Sequence, residues 1–208
     1  MIGVLGGSFD PVHYGHLRCA LEISSALQLQ QVRFIPGGIP PHREVPTANS
    51  DQRIAMLELA LANTEIFVVD DSEIRREGVS YMVTTLESLT AETGETPICL
   101  LLGMDAFAGL PSWHEWQRLF ELAHIVVMQR PGAGRDFESV LQNEVVSRQA
   151  EDLQELQASH AGRILFCGVS QLDISSSAIR KMLSEGISPR YLLPDGVLEY
   201  IHSNRIYI

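Results

Sequence analysis

Short apolar, β-branched runs alternate along this chain with longer amphipathic segments, and this alternation constrains the fold more than any other feature. A short continuous apolar run predicts a buried strand, whereas apolar residues three or four positions apart predict a helix. Strands are predicted at residues 2–5, 32–35, 66–69, 98–102, 125–128 and 164–166. Helices are predicted at residues 15–27, 51–62, 80–93, 113–122, 137–156 and 175–183. This order predicts a doubly wound α/β domain, with a parallel sheet that binds ligands at the carboxyl ends of its strands.

The length of the chain indicates how these elements are grouped. A chain of 208 residues fits one domain and is long enough to bury a substantial core. We expect a single domain over residues 1–208, with a helical C-terminal portion at about 170–208 packed on it. Residues 198–208 predict a short packed helix followed by an extended end, and the polar stretch 142–157 predicts a solvated helix at the domain edge.

Charge and cysteine usage exclude several classes of protein. The net charge of −11 argues against a protein that binds nucleic acid through its phosphates. The sequence starts without a basic region and contains no long apolar run, so we expect neither a signal peptide nor a membrane span. Cys19, Cys99 and Cys167 are far apart in apolar surroundings, which favours buried thiols and a cytoplasmic location.

The negative charge is unevenly distributed. Residues 1–50 contain three acidic and three basic side chains, so all of the negative excess lies after residue 50. Three of the seven histidines, His13, His16 and His42, also fall in this neutral segment. Because like charges repel, an anionic ligand is best accommodated there.

One segment directly after the first predicted strand carries the strongest functional signal. It reads Gly6-Gly7-Ser8-Phe9-Asp10-Pro11-Val12-His13-Tyr14-Gly15-His16-Leu17. Two glycines allow the backbone to approach an anion closely, and the N-terminus of the following helix attracts phosphate. His13 and His16 flank the loop–helix junction and can donate to phosphate oxygens, while Gly15 leaves room for a nucleotide. The segment predicts a nucleotide phosphate site.

Each part of this segment also has a simpler interpretation. Glycines after a strand are often only a turn requirement, and a lone histidine is usually structural. A His-x-x-His pair could bind zinc, but no nearby cysteine, histidine or acidic cluster supplies further ligands. The complete segment at the end of the first strand is much more specific than any of its parts.

A second candidate phosphate site lies near the end of the sequence. Ser175 or Ser176 can cap a helix and leave N–H groups and hydroxyls for an anion. Arg180 follows about one turn later with a planar, permanently charged guanidinium. By itself this pattern fits an ordinary serine-capped helix with a surface arginine, but the first segment favours phosphate binding here too.

Gly103 and Asp105 directly follow the fourth predicted strand, at residues 98–102. A carboxylate at the carboxyl end of a strand commonly accepts from ribose hydroxyls. A cap for the following helix explains Asp105 equally well from sequence alone.

The first segment resembles the Gly-Gly-[Thr/Ser]-Phe-Asp-Pro-x-His-x-Gly-His signature of the nucleotidyltransferase superfamily. Further matches over about residues 2–200 are similar to the nicotinate-nucleotide adenylyltransferase family within it. They are Pro40-Pro41-His42-Arg43, residues 73–81, Gly103-Met104-Asp105, Leu110-Pro111-Ser112-Trp113-His114, Arg130-Pro131-Gly132 and residues 174–180. The resemblance implies a Rossmann-like nucleotidyltransferase fold.

The resemblance also implies a reaction. Mg²⁺-ATP and nicotinate mononucleotide would give nicotinate adenine dinucleotide and pyrophosphate by direct in-line displacement, because the attacking phosphate is already anionic. Catalysis would rest on His13, His16 and Arg180. Mg²⁺ would be held mainly by phosphates and water, with no protein-bound metal site. The ATP site would comprise Gly6, Gly7, Ser8, Phe9, His13, Gly15, His16, Gly103, Asp105, Ile174, Ser175, Ser176 and Arg180.

The acceptor pocket follows from the same resemblance. The family places aromatic and polar side chains around the pyridine ring, whereas Trp116 is expected in the core. The family typically has threonine where this chain has Met82, so any hydroxyl contact from that position is lost. The expected acceptor residues are His42, Arg43, Ser80, Tyr81, Trp113, His114 and Arg130.

Several alternatives stay open or are disfavoured. Phosphopantetheine adenylyltransferases and cytidylyltransferases share the first segment but lack the matches around Tyr81 and Trp113. A class I aminoacyl-tRNA synthetase would need a larger chain. A catalytically silent nucleotide sensor is disfavoured because His13, His16 and Arg180 are all present. The choice between nicotinate and nicotinamide mononucleotide, and between a monomer and a small homo-oligomer, stays open.

Overall fold

A computed structural model describes residues 1–38, 46–129, 137–170 and 172–208 of the chain. Their strands form one seven-stranded parallel sheet flanked by helices, which confirms the predicted doubly wound α/β fold. The strands are β1 (Ile2–Gly7), β2 (Gln31–Pro36), β3 (Phe67–Val69), β4 (Ile98–Gly103), β5 (His124–Gln129), β6 (Gln149–Ala150) and β7 (Ile164–Gly168). The helices are α1 (Tyr14–Ala26), α2 (Ser50–Leu61), α3 (Ser72–Arg75), α4 (Met82–Thr93), α5 (Met104–Ala108), α6 (Leu119–Leu122), α7 (Ser139–Arg148), α8 (Leu153–Gln157), α9 (Ser176–Ser184) and α10 (Asp195–Ser203).

The order of the strands explains where a ligand can enter. The sheet runs β3-β2-β1-β4-β5-β7-β6. The first strand pairs on one side with β2, where Ile2 lies opposite Gln31, and on the other with β4, where Ile2 lies opposite Ile98. The connections from the two central strands therefore leave in opposite directions, which opens a crevice above the carboxyl ends of β1 and β4.

Both faces of the sheet are buried because successive side chains of a strand point to opposite sides. In β1, Val4 joins the apolar cluster on one face and Leu5 joins the cluster on the other. Leu100 and Leu101 of β4 divide between the two clusters in the same way. This double burial explains why the strands are continuously apolar in the sequence.

The prediction of one helix at 113–122 was wrong. Trp113 is extended, and Glu115 adopts a left-handed conformation with φ of 48°, which interrupts any α-helix. A short 3-10 helix, Trp116–Arg118, and then α6 occupy the rest of the segment, and another 3-10 helix, Leu110–Ser112, precedes it. The helix predicted from residue 80 begins only at Met82, because Tyr81 is its extended N-cap residue.

The prediction of one helix at 137–156 was also wrong. The segment contains α7, the two-residue strand β6 and α8. The break has a packing reason, since Ala150 is buried and pairs with Leu165 of β7. Asp152 then caps α8 by accepting from the Glu155 N–H at 3.1 Å. The expected solvated helix over 142–157 is therefore incorrect, because this segment extends the sheet and buries Val145.

The end of the described chain also differs from the prediction. Helix α10 begins at Asp195, and it packs against α2. Residues 204–208 turn back instead of extending, with left-handed Arg205 (φ 51°) and Tyr207 (φ 66°). Ile206 between them is buried in the apolar cluster that also contains Leu5. Among the described residues, no helix is long and apolar enough to cross a membrane.

Candidate active site

A cleft of about 870 Å³ lies at the carboxyl ends of β1 and β4, where the strand order predicts ligand binding. Its walls come from both candidate phosphate segments and from the α3–α4 and 112–114 regions. Most of the predicted site residues line it together: Gly6, Gly7, Ser8, His13, Gly15, His16, Ser80, Tyr81, Gly103, Asp105, Trp113, His114, Ile174, Ser175 and Ser176. Phe9 and Arg180 do not line the cleft themselves, and His42, Arg43 and Arg130 lie outside the described residues.

The loop after β1 leads into α1 through His13, an extended N-cap residue with φ of −148° and ψ of 170°. Gly15 follows in the first turn. A Cβ atom on Gly15 would lie 3.0 Å from both Cε1 and Nδ1 of the His13 ring and 3.6 Å from the carbonyl oxygen of Ile174. A side chain at this position would therefore crowd the imidazole that lies against the start of the helix.

The two imidazoles of the first segment form a stacked pair. Their ring centroids are 3.7 Å apart, with an interplanar angle of 24°. The backbone N–H of His13 donates to Nδ1 of His16 at 3.3 Å, so the neutral His16 ring carries its proton on Nε2. Nδ1 of His13 is buried and has no hydrogen-bond partner among the described residues.

Burial keeps both imidazoles neutral. Desolvation lowers the pKa of His13 to about 4. Desolvation, with a smaller contribution from His13, lowers the pKa of His16 to about 3. At neutral pH the pair therefore presents uncharged rings that donate hydrogen bonds, rather than two imidazolium cations.

Phe9 packs against the end of β1 and against the His16 ring. Its side chain is buried, and its ring approaches to 3.1 Å the position that a Cβ on Gly7 would occupy. The ring also meets His16 edge-on, with centroids 5.2 Å apart. Any contact of Phe9 with ATP would thus involve its main chain, and its membership of the ATP site stays a prediction.

The second candidate phosphate segment is joined directly to the first. Ser175 caps α9 by accepting from the Ala178 N–H at 3.2 Å. The Ser176 hydroxyl donates to the carbonyl oxygen of Pro11 at 2.9 Å, and Nη1 of Arg180 donates to the carbonyl oxygen of Asp10 at 2.7 Å. The two segments, about 160 residues apart in sequence, therefore share one wall of the cleft.

Gly103 and Asp105 lie at the end of β4, as predicted. The N-cap residue of α5 is Gly103, and no side chain caps this helix. The alternative role of Asp105 as a helix cap is therefore wrong. Asp105 is exposed in the first turn of α5 and lines the cleft.

An aromatic wall forms the opposite side of the cleft. The rings of Tyr81 and His114 are 4.2 Å apart and tilted by 34°, and Trp113 lies beside them. Met82 reaches over the end of β1, where its Cε atom is 2.8 Å from the position of a Cβ on Gly6. Trp116 was expected in the core; it is half-buried and packs against Phe120 at the edge of the apolar cluster.

Sequence reasoning did not identify Glu73, which also lines the cleft. Its buried carboxylate accepts from the Thr85 hydroxyl at 2.8 Å and from the Gly38 N–H, and burial raises the pKa of this carboxyl above its usual value. A Cβ on Gly38 would clash with the carbonyl oxygen of Glu73 and the Ser80 hydroxyl. In the sequence, Glu73 begins the 73–81 match to the family, but an acid beside Arg75 and Arg76 is typical of a surface ion pair, so it was not predicted as a site residue.

The described residues contain no group of three or more histidine, cysteine or acidic side chains that could hold a metal ion. A magnesium ion that enters with ATP does not need such a group, because phosphate and water oxygens supply most of its ligands. The donors present in the cleft are therefore compatible with a metal carried by the nucleotide.

Comparison with known sequences agrees with this geometry. Residues 4–182 match the family model described as Cytidylyltransferase-like. The chain is 52% identical to "Probable nicotinate-nucleotide adenylyltransferase" from Methylococcus capsulatus, over 100% of this chain and 99% of that protein. It is 47% identical to a protein of the same name from Dechloromonas aromatica, over 99% and 97% of the two chains.

Comparison with solved structures identifies the same fold. Plasmodium falciparum nicotinic acid mononucleotide adenylyltransferase, complexed with NaAD, aligns with a TM-score of 0.76 at 17% identity, over 99% of this chain and 96% of that one. The sequence relatives are much closer and match over nearly their full length. From its phosphate segments, its cleft and these relatives, the chain belongs to the nicotinate-nucleotide adenylyltransferase family of cytidylyltransferase-like proteins.

Proposed function

We propose that this enzyme transfers the adenylyl group of ATP to nicotinate mononucleotide, with release of pyrophosphate. One observation carries the proposal: two phosphate-binding segments, joined by the Arg180–Asp10 and Ser176–Pro11 hydrogen bonds, flank a single cleft with an aromatic wall. The names of the sequence relatives support the same donor and acceptor.

The triphosphate would lie along the two helix N-termini. His16 can donate from Nε2, because its Nδ1 already accepts from the main chain, and the stacked His13 would contact the same phosphates. Arg180 and the N-terminus of α9 would contact the departing pyrophosphate. The backbone of Gly6, Gly7 and Ser8 would approach the nucleotide closely, since two of these residues have no side chain.

This arrangement suits in-line displacement at the α-phosphate. The acceptor phosphate is already a nucleophile, so the enzyme does not need to remove a proton or to form a covalent intermediate. Alignment of the two phosphates lowers the barrier by about 7 kcal/mol or more. Neutral His13 and His16 stabilise the transition state by hydrogen bonding, and bound phosphate will raise the pKa values of both rings.

The nucleotide would bring Mg²⁺ with it. When bound, this ion neutralises negative charge on the phosphates. Asp105 is the cleft carboxylate at the end of β4, and we propose that it accepts hydrogen bonds from the ribose of the adenylyl group.

The aromatic wall would hold the acceptor. Tyr81, Trp113 and His114 offer ring faces to a pyridine, and the Ser80 hydroxyl lies at the same end of α4. We retain His42, Arg43 and Arg130 as predicted contacts for the acceptor. Met82 cannot replace a hydroxyl donor, so the N–H groups at the start of α4 would have to hold the acceptor carboxylate.

The cysteines and the net charge bear on the location and the partners of the enzyme. We propose a cytoplasmic enzyme that works as one domain, either as a monomer or as a small homo-oligomer. The three cysteines are free thiols, as expected in a reducing compartment. The net charge of −11 argues against nucleic acid as a partner.

The test is pyrophosphate release by the purified protein with Mg²⁺-ATP and one of three acceptors. The acceptors are nicotinate mononucleotide, nicotinamide mononucleotide and phosphopantetheine. We expect strong preference for the first. Turnover with only another acceptor would retain adenylyl transfer and overturn the proposed acceptor pocket. A folded protein that binds ATP but turns over none of them would be a nucleotide sensor.

A further inference from the structure

The 204–208 segment places a side chain directly behind the first phosphate segment. The hydroxyl of Tyr207 donates to Oδ1 of Asp10 at 2.6 Å, across 197 residues of sequence. The segment is held in a defined conformation, because the N–H of Ile206 donates to the carbonyl oxygen of Ile201 at 3.0 Å and the Ile206 side chain is buried. Tyr207 itself is left-handed, a conformation that costs free energy for a residue with a side chain.

Asp10 links the 204–208 segment to the first phosphate segment. Its carboxylate is buried, with 3% of the residue exposed, and also accepts from the N–H groups of Thr47 at 2.8 Å and Ala48 at 3.0 Å. These two donors and Tyr207 satisfy both carboxylate oxygens. Burial and the nearby Asp10 carboxylate raise the pKa of Tyr207, so the phenol keeps the proton that it donates.

Arg180 lies on the other side of Asp10. Its Nη1 donates to the main-chain oxygen of Asp10 at 2.7 Å, but it remains 3.7 Å from the carboxylate oxygen Oδ2. The guanidinium therefore contacts the loop without forming a close, two-bonded pair with the acid. About 30% of its side chain stays exposed, which leaves donors for an anion.

We propose that Tyr207 is a positioning residue that keeps Arg180 available for the phosphates of ATP. By donating to Oδ1 of Asp10 it helps to hold this residue in place, and the main-chain oxygen of Asp10 in turn accepts from Arg180. The inference rests on the proposed function, in which Arg180 binds the departing pyrophosphate. Arg53 fixes the same loop independently, because its Nη1 donates to the carbonyl oxygen of Ser8 at 3.0 Å.

The test is Tyr207→Phe, which removes only the hydroxyl. We expect the KM for ATP to rise about fivefold or more, with the KM for nicotinate mononucleotide changed less than twofold. The matched control is Tyr191→Phe, since Tyr191 is 81% exposed and its loss of a hydroxyl should change neither constant. A lower Tm with unchanged KM values, or an equal rise in both, would assign Tyr207 a purely structural role and overturn the proposal.

A second arm separates this inference from the proposed function. Binding of α,β-methylene-ATP, which cannot be cleaved between its first two phosphates, is measured by calorimetry for Arg180→Ala, Tyr207→Phe and the double variant. If Tyr207 acts through Arg180, Tyr207→Phe will weaken binding in the wild type but not further in Arg180→Ala. Full binding by Arg180→Ala would overturn the phosphate assignment of Arg180 and the inference with it. Weak binding by Arg180→Ala but normal binding by Tyr207→Phe would overturn the inference alone.

Discussion

Buried or half-buried histidines lie at both ends of the sheet, and their surroundings differ. His124 begins β5 at the amino end of the sheet, where Nε2 lies 3.0 Å from the carbonyl oxygen of Ser159 and Nδ1 accepts from the Arg163 N–H at 3.2 Å. His13 and His16 lie at the carboxyl end, beside the cleft. Burial lowers the pKa of all three.

The difference lies in how each ring uses its nitrogens. Both ring nitrogens of His124 bond to main-chain groups, so this ring bridges Ser159 and Arg163. In contrast, Nδ1 of His13 has no described partner, and the main chain engages only Nδ1 of His16 in the described hydrogen bonds. A lowered pKa alone therefore does not distinguish a structural histidine from one at a ligand site, whereas unused hydrogen-bonding capacity beside a cleft does.

The strongest test of this comparison is His16→Ala. We expect kcat to fall about 100-fold or more, because a donor that stabilises transition-state charge is lost. Circular dichroism should show an unchanged fold. His202→Ala, at an exposed position of α10, is the matched control and should retain normal turnover. Near-normal kcat for His16→Ala would contradict the assignment.

The converse result is expected for His124→Ala. The free energy of unfolding should fall by about 2–4 kcal/mol, because two main-chain groups lose a partner in a fully buried site. The kcat and KM values of the folded enzyme should stay unchanged. Ser159→Ala is the control, since it retains the main-chain carbonyl. Urea denaturation with kinetics at low temperature measures both effects, and a large change in kcat would remove the distinction between the two ends.

A smaller effect is expected when a side chain is added beside the His13 and His16 rings. Gly15→Ala would push a methyl group against the His13 ring, so we expect kcat/KM for ATP to fall about tenfold, or about 1.4 kcal/mol. Gly168→Ala at the end of β7 meets nothing within 4 Å and serves as the control. Equal kinetics for the two variants would show that the position of His13 does not matter.

The smallest expected effect concerns pH. The unfolded chain binds protons on histidine near pH 6.5, whereas folded His13 resists protonation down to about pH 4, so this stabilisation is present above pH 6.5 and is lost as the pH falls. Between pH 7 and 5.5, the loss for such a residue is about 1 kcal/mol. The melting temperature should depend less steeply on pH over this range in His13→Asn and in His124→Gln than in the wild type. Slopes equal to wild type in both would show that neither ring resists protonation in the fold.

The sequence predicted those features that depend on neighbouring residues. All six predicted strands are present, because a strand buried on both faces must be continuously apolar, and β1 leads directly into the predicted phosphate loop. The segments containing His16, Ser176 and Asp105 met at one cleft because parallel strands share a carboxyl end. Left-handed Glu115, in contrast, had no local signal, since glutamate usually favours a helix.

Features that depend on distant contacts could not be predicted. Strand β6 exists because Ala150 fits beside β7, although its neighbours are polar enough for a surface helix. The bond between Tyr207 and Asp10 joins residues at opposite ends of the sequence, and no periodicity relates them. The same holds for Glu73, whose burial depends on Thr85 and on the approach of Gly38.

The outer strands of the sheet have a consequence for how copies of this protein meet. Within the described residues, the sheet ends in β3 on one side and β6 on the other, with three and two residues respectively. Such short margins offer few main-chain donors and acceptors to an incoming strand, which opposes the edge-to-edge stacking that leads to fibres. Copies of the chain that associate would therefore have to do so through their helical surfaces.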